Sequence, residues 1–303
     1  MNITSTTEID PHNKQKIIYI GTANFNKNYG FGQRSSVFQS NDLDKLFFEI
    51  QNNENIYLDT SQNYEGVEEL IGKYGNGKLL NKITTKISPS EHDTSSSVVN
   101  MVKNSLEKVG QESFYSVLLH NPEILSCENA TDIVHGLEQC TNLGLTKSIG
   151  ISSYESQQIV QLKKKFPQLT NFQINENVLD QKNFKNADLV TLSNTGNRIF
   201  VRSIFLQGNL LVNYNDLPEF LLPQQEIFKK FIELCDSKKV SQIKYCLDYV
   251  KQISWSNGIV VGINKFTDLT DIVEHFSSAI EVNDFKMDVL NGFYSDPRNW
   301  INI

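Results

Sequence analysis

The sequence predicts an α/β protein built as a single (β/α)8 TIM barrel, and three observations lead there. Short apolar, β-rich runs alternate with helix-period stretches along nearly the whole chain, which requires parallel pairing, because parallel neighbours need a crossover between them. The alternation yields eight strand–helix units, the number that closes a barrel. An open doubly wound sheet would carry a glycine fingerprint after its first strand. Here Gly30-Phe31-Gly32 lies in a polar loop with no third glycine in place.

The elements follow in order. Residues 16–22, KIIYIGT, form a strand ending in Gly-Thr, and a loop rich in Asn and Gly occupies 23–39. Asp42 reads as the cap of a helix whose apolar stripe is Leu43, Leu46, Phe47 and Ile50. The second strand, 56–60, runs Ile56-Tyr57-Leu58 straight into Asp59. Tyr64 opens a helix over about 64–73, with Val67, Leu70 and Ile71 at helical spacing, and a strand over 82–87 carries Lys86 near its end. A Ser/Thr run at 94–97 leads into a helix on Val98, Val102, Leu106 and Val109, stopped by Gly110. The fourth strand, 116–119, ends in His120, and a helix through Ile133, Leu137 and Cys140 stops at Gly144. Strands then fall at 148–152, 172–175, 198–206 and 258–263. Helices fall at 156–165, 187–192 and 267–276, and over 224–251, where a break near 238–240 makes two.

Composition narrows the function classes. The 303 residues suit one barrel over 17–303 with a C-terminal extension, preceded by a polar tail, 1–16, that has neither the basic tip nor the apolar run of a signal peptide. A net charge of −7 works against nucleic-acid binding, and no apolar run reaches the ~18 residues of a membrane span, so a cytoplasmic protein is expected. Cys127, Cys140, Cys235 and Cys246 show no ligand or redox spacing and read as free thiols, with no metal site. Residues 72–79, GKYGNGKL, imitate a phosphate loop but lack its final Ser or Thr and follow a helix, so they read as a turn.

The chemistry lies at the strand exits. Asp59, Lys86 and His120 leave strands two, three and four at their C-terminal ends, where barrel active sites sit, and Tyr64 lies in the segment after strand two. Alone, each has a plainer role as a cap, packing ring, strand-end lysine or loop histidine. Together they suit delivery of a proton to a carbonyl oxygen gaining negative charge. A phenol with an ordinary pKa of about 10 needs a nearby cation to favour phenolate, which Lys86 can supply, with Asp59 fixing Lys86. His120 can hydrogen-bond the carbonyl. The carbon then needs a hydride, which no side chain supplies, so a nicotinamide cofactor, NADP(H) or NAD(H), is implied.

These residues resemble the aldo-keto reductase superfamily, through Gly21-Thr22, Leu58-Asp59-Thr60 with Tyr64-Glu65-Gly66, Thr85-Lys86, His120-Asn121-Pro122, Gly150-Ile151-Ser152, and Phe172-Gln173 with Asn177. The resemblance covers about 17–276 and implies that Asp59, Tyr64, Lys86 and His120 are the catalytic tetrad of an NAD(P)H-dependent reductase. It further implies that Ser152, Ser153 and Gln173 hold the nicotinamide carboxamide, with Ser153 in place of the family's usual asparagine. Backbone at Ile204, Leu206 and Gly208 would meet the pyrophosphate, and Gly262, Asn264, Lys265 and Asp268 the adenosine end. Two departures stand out. Where the family carries an aromatic that stacks on nicotinamide, this chain has Ser203 preceded by Arg202, and where many NADP-preferring members carry an arginine it has Asp268 beside Lys265. The expected activity is reduction of a small-molecule aldehyde or ketone, with a bacterial sugar-related branch pointing to a sugar-like carbonyl. The alternative is a non-catalytic or regulatory cofactor-binding barrel. Phe25, Tyr29, Phe31, Tyr294 and Trp300 are candidate substrate walls or plain packing, and the oligomeric state is not legible.

Overall fold

A computed structural model of the chain describes residues 16–26, 40–75, 77, 79 and 81–302. Its strands are Ile17–Gly21 (β1), Ile56–Asp59 (β2), Ile83–Ile87 (β3), Ser116–Leu119 (β4), Ile149–Ser153 (β5), Asn171–Asn175 (β6), Arg198–Arg202 (β7) and Gly258–Gly262 (β8). They form a closed barrel in sequence order, and β1 pairs in parallel with both β2 and β8. The sheet has no edge. Around it run Ser40–Asn52 (α1), Val67–Gly75 (α2), Ser95–Val109 (α3), Ala130–Asn142 (α4), Ser156–Lys165 (α5), Ala187–Asn194 (α6), Gln225–Lys238 (α7), Gln242–Lys251 (α8) and Phe266–Ser277 (α9), with a short Gly292–Ser295 (α10). The (β/α)8 barrel expected from the alternation is the observed fold. The helix α3 buries an apolar stripe of Val98, Val102, Leu106 and Val109 behind a Thr94 cap.

The three largest boundary differences from the sequence reading each have a local reason. Asp42 is not the cap of α1: the helix already runs from Ser40, which places Asp42 in its positive first turn. Tyr64 does not open α2. Gly66 takes φ 72°, Val67 N donates to Tyr64 O at 3.0 Å, and the helix starts only at Val67, leaving Tyr64 in a tight turn above the barrel. β7 stops at Arg202 instead of 206, because Ser203 (φ 61°), Leu206 (46°) and Gln207 (53°) are left-handed and end the extended run. Three 3₁₀ segments, Leu206–Leu211, Tyr214–Asp216 and Glu219–Gln224, then carry the chain to α7.

The first four residues of the phosphate-loop imitation, 72–75, are the end of a helix where a turn was expected. Gly72 lies inside α2, where a Cβ would come within 2.2 Å of Lys108 O, so the glycine lets α2 approach α3. At the N-terminal end of the barrel, Tyr19, Tyr115, Phe200 and Val260, with Tyr57 against them, fill the lumen. Ring centroids lie 4.9 Å apart for Tyr19 and Phe200 and 5.0 Å for Tyr57 and Tyr115, in edge-to-face geometry. That layer is a plug.

Of the expected N-terminal tail only Lys16 is described, and its Nζ donates to the carbonyls of Val250, Lys251 and Ile253 at the end of α8. Beyond α9, residues 278–302 run back over the barrel, tied by Leu290 N to Leu179 O at 2.9 Å and by Gln181 Nε2 to Phe285 O at 2.9 Å. Among the described residues no helix is long and apolar enough to cross a membrane.

Candidate active site

Strand periodicity places the site. Tyr19, Tyr57, Phe200 and Val260 of the lumen plug are each followed, two residues on, by Gly21, Asp59, Arg202 and Gly262, all on the wall of one cavity at the C-terminal mouth. Side chains two apart on a strand share a face, so two rows that are aromatic at the bottom end at the mouth in Asp59 and Arg202, and the other two end in Gly21 and Gly262. Lys86, Ser152 and Gln173 join the wall from β3, β5 and β6, and His120 from the first residue after β4. The cavity measures about 910 Å³.

At its inner end the four sequence-predicted catalytic residues come together. Lys86 Nζ forms an ion pair with Asp59 Oδ2, and both side chains are almost fully buried. Lys86 Nζ also reaches Thr60 O at 3.4 Å, and Gln173 Nε2 donates to Asp59 Oδ1 at 2.5 Å. The Tyr64 ring stands perpendicular to that of His120, with centroids 6.0 Å apart, and Lys86 Nζ lies 5.8 Å from the Tyr64 centroid. His120 Nδ1 lies 3.0 Å from Oγ of Ser61, a residue that is not on the cavity wall.

Electrostatics assign protonation. Burial, then Lys86 and Arg202, pull the His120 imidazole down to about 4, so it is neutral at pH 7. The Tyr64 phenol is raised, by burial first and then by Asp59, while Arg202 pulls the other way. The expectation that Lys86 depresses this phenol is not met. Lys86 is turned into Asp59, whose negative charge is what Tyr64 feels. Tyr64 therefore carries its proton at neutral pH, the form a donor requires.

The predicted binding residues divide. Ser152, Arg202, Ser203, Ile204, Gly208, Gly262, Asn264 and Asp268 lie on the cavity wall; Thr22, Ser153, Leu206 and Lys265 do not. Thr22 Oγ1 donates to Asp59 O at 3.1 Å, and Ser153 Oγ is engaged by Gln158 Oε1 at 2.6 Å. Asp268 accepts from Asn264 N at 2.8 Å and Lys265 N at 3.3 Å, capping α9. Two buried atoms on the wall have no partner among the described residues, the acceptor Gln173 Oε1 and the donor Arg202 Nε. Such atoms suit a polar ligand, and a free acceptor beside Ser152 suits a primary amide. On this test the residues present fit a nicotinamide cofactor.

Sequence reasoning passed over part of the wall. Tyr154, one residue past β5, has the Arg202 and Arg298 guanidinium carbons each 3.9 Å from its ring centroid, which fastens the C-terminal segment to the mouth beside wall residue Pro297. Leu211, Val212 and residues 216–218 come from the 3₁₀ stretch, which has no periodicity to read. Of the candidate aromatic walls, Phe25 and Trp300 are core residues, Tyr294 is half-buried against the core, and Tyr29 and Phe31 lie outside the described residues.

Comparison with known proteins agrees with this architecture. A curated relative, aldo-keto reductase AKR2E4 of Bombyx mori, is 28% identical over 116 residues, which are 35% of this chain and 36% of that protein, so the match spans about a third of the relative's length. The crystal structure of the same Bombyx mori protein in complex with NADP superposes with a TM-score of 0.57 at 19% identity, covering 94% of this chain and 88% of the other. A thermostable aldo-keto reductase, Tm1743, in complex with the inhibitor epalrestat gives a TM-score of 0.64 at 16% identity, covering 99% and 98%. Structural likeness at these identities speaks to the fold. Membership is carried by sequence: the Aldo/keto reductase family profile matches residues 17–288, and the chain belongs to that family.

Proposed function

We propose that the protein is a nicotinamide-dependent oxidoreductase that reduces an aldehyde or ketone, sugar-like on the sequence resemblance, to an alcohol. The observation that carries this reading is the convergence of Tyr64, His120 and the Asp59–Lys86 pair on one end of a cavity whose wall leaves Gln173 Oε1 without a partner. Gln173 and Ser152 would hold the carboxamide of NAD(P)H, and Asn264 and Asp268, on the same cavity wall, would meet its far end. Bound NAD(P)H supplies the hydride. Tyr64 gives its proton to the substrate oxygen as charge develops there, neutral His120 hydrogen-bonds the same oxygen, and Lys86, fixed by Asp59, is a cation beside Tyr64, 5.8 Å from its ring centroid. Family membership and the NADP-bound relative support the same reading.

Titration with NADPH and with NADH, followed by nicotinamide fluorescence and melting temperature, tests it. Ligand at n times its Kd raises stability by about RT ln(1 + n), so micromolar binding is readily seen. Binding of either cofactor, together with oxidation of NAD(P)H by a panel of aldehydes and ketones, is the expected result. Tyr64→Phe should lose reduction while binding cofactor as before. Binding of neither form would sink the proposal and leave a barrel without this chemistry.

A further inference from the structure

Resting on the reductase reading, we propose that Ser61, aided by Asn63, is a positioning residue that holds His120 in the tautomer carrying its proton on Nε2, toward the cavity. Ser61 is fully buried, and its Oγ sits 3.0 Å from His120 Nδ1 and 3.1 Å from Lys86 O. A hydroxyl has one proton to give. Lys86 O already accepts Gln62 N–H at 3.1 Å, so it does not depend on that proton. One Ser61 lone pair is taken by Asn63 N–H at 3.2 Å. The Asn63 amide nitrogen, which can only donate, lies 3.4 Å from the same Nδ1 and gives a hydrogen to Ser88 Oγ at 2.9 Å. Two donors therefore converge on Nδ1. A ring nitrogen that accepts leaves the proton on its partner, so Nε2 carries it. His120 lines the cavity, and with Nδ1 turned to Ser61 the Nε2–H is the group left to meet a substrate oxygen.

The opposite tautomer is also geometrically complete at Ser61: Nδ1–H could donate to Oγ while Oγ–H goes to Lys86 O. It would set the Asn63 N–H group against a ring N–H and present a bare lone pair to a substrate carbonyl, which has no proton to offer. Ser61 and Asn63 together thus set whether His120 presents a proton to a carbonyl.

Long-range 1H–15N correlation of the histidines in 15N-labelled full-length protein at pH 7, with His120 identified by its loss in His120→Gln, reads the tautomer without turnover. The expected result is unprotonated Nδ1 and protonated Nε2 in the wild type. Ser61→Ala should move population to Nδ1–H and lower kcat about tenfold or more, with the KM for cofactor unchanged. Asn63→Leu, at an exposed position, should move the tautomer in the same direction and provides the readout if Ser61→Ala does not fold. A wild-type Nδ1–H signal, or a tautomer unmoved in both variants, overturns the proposal. Because the spectrum needs no substrate, absence of reductase activity would count against the functional reading alone, and an active enzyme with an unmoved tautomer against this inference alone.

Discussion

Two buried lysine–aspartate pairs in this molecule have nearly the same burial and opposite purposes. Lys86–Asp59 has side-chain exposures of 4% and 5%, and Lys244–Asp248 has 4% and 0%. The second is closed. Asp248 accepts from Lys244 Nζ at 2.6 Å, Lys251 Nζ at 2.9 Å, and the backbone N–H groups of Glu281 and Val282 at 2.9 and 3.1 Å, while Lys244 also reaches Ala279 O at 2.6 Å. It pins the start of the C-terminal segment to α8. The first is open, since both of its residues lie on the cavity wall with Tyr64 and His120. Burial alone thus does not mark a site. What marks it is a charge pair facing a space large enough for a ligand.

Removing each lysine is the sharpest way to break this comparison. Lys86→Met should lower carbonyl reduction by about 10²–10⁴-fold, the scale of lost acid–base support, with a much smaller change in melting temperature. Lys244→Met should do the reverse, destabilising by about 1.5–3 kcal/mol because buried Asp248 loses one charged partner while Lys251 and two backbone N–H groups remain. Steady-state kinetics below the melting point should then find kcat close to wild type. If Lys86→Met unfolds as readily as Lys244→Met, or Lys244→Met loses activity while folded, the division between site and scaffold fails.

The same contrast explains what the sequence could reveal. The exits of β2, β3 and β4 were legible because a carboxylate, an amine and an imidazole interrupt apolar runs at Asp59, Lys86 and His120. Lys244 and Asp248, one turn apart on a helix, resemble an ordinary surface pair, and only the fold shows them covered by residues 279–282. The Arg202–Tyr154–Arg298 stack joins residues far apart in the chain and left no local pattern. The end of β7 was misplaced because Ser203, Leu206 and Gln207, all apt to read as strand or loop, take left-handed φ that only the assembled mouth imposes.

A buried acid whose hydrogen-bond donors are neutral sharpens the comparison next. Glu176, just past β6, is fully buried, with Tyr249 Oη donating at 2.5 Å and Asn183 N at 3.0 Å. Burial pushes its carboxyl up to about 8, against those hydrogen bonds. Its folded pKa exceeds the unfolded one, so the native state binds the extra proton between about 4.3 and that value. Stability from this group is full below the lower figure and is lost as pH rises toward 8. Melting curves from pH 5 to 8.5 should fall by several degrees, and Glu176→Gln should flatten them, at roughly 2–4 °C for each kcal/mol recovered. An unchanged slope in the variant would assign the fall to other groups.

Asp248 should give the smallest effect, with the opposite sign. Burial works to raise its carboxyl, but hydrogen bonds from Lys244, Lys251 and the backbone of Glu281 and Val282 outweigh it and hold the group below its usual value. The opposing contributions leave only their difference. A depressed folded pKa means that the stabilisation is complete above the unfolded aspartate value of about 3.9 and disappears as pH falls through the folded one. Asp248→Asn should therefore lower the melting temperature at pH 7 and lessen its drop between pH 4 and 2.5, while leaving the Glu176-dependent fall at higher pH intact. Were Asp248→Asn instead to alter the slope between pH 5 and 8, the two carboxylates would be coupled through α8, which carries both Asp248 and the Tyr249 that bonds Glu176.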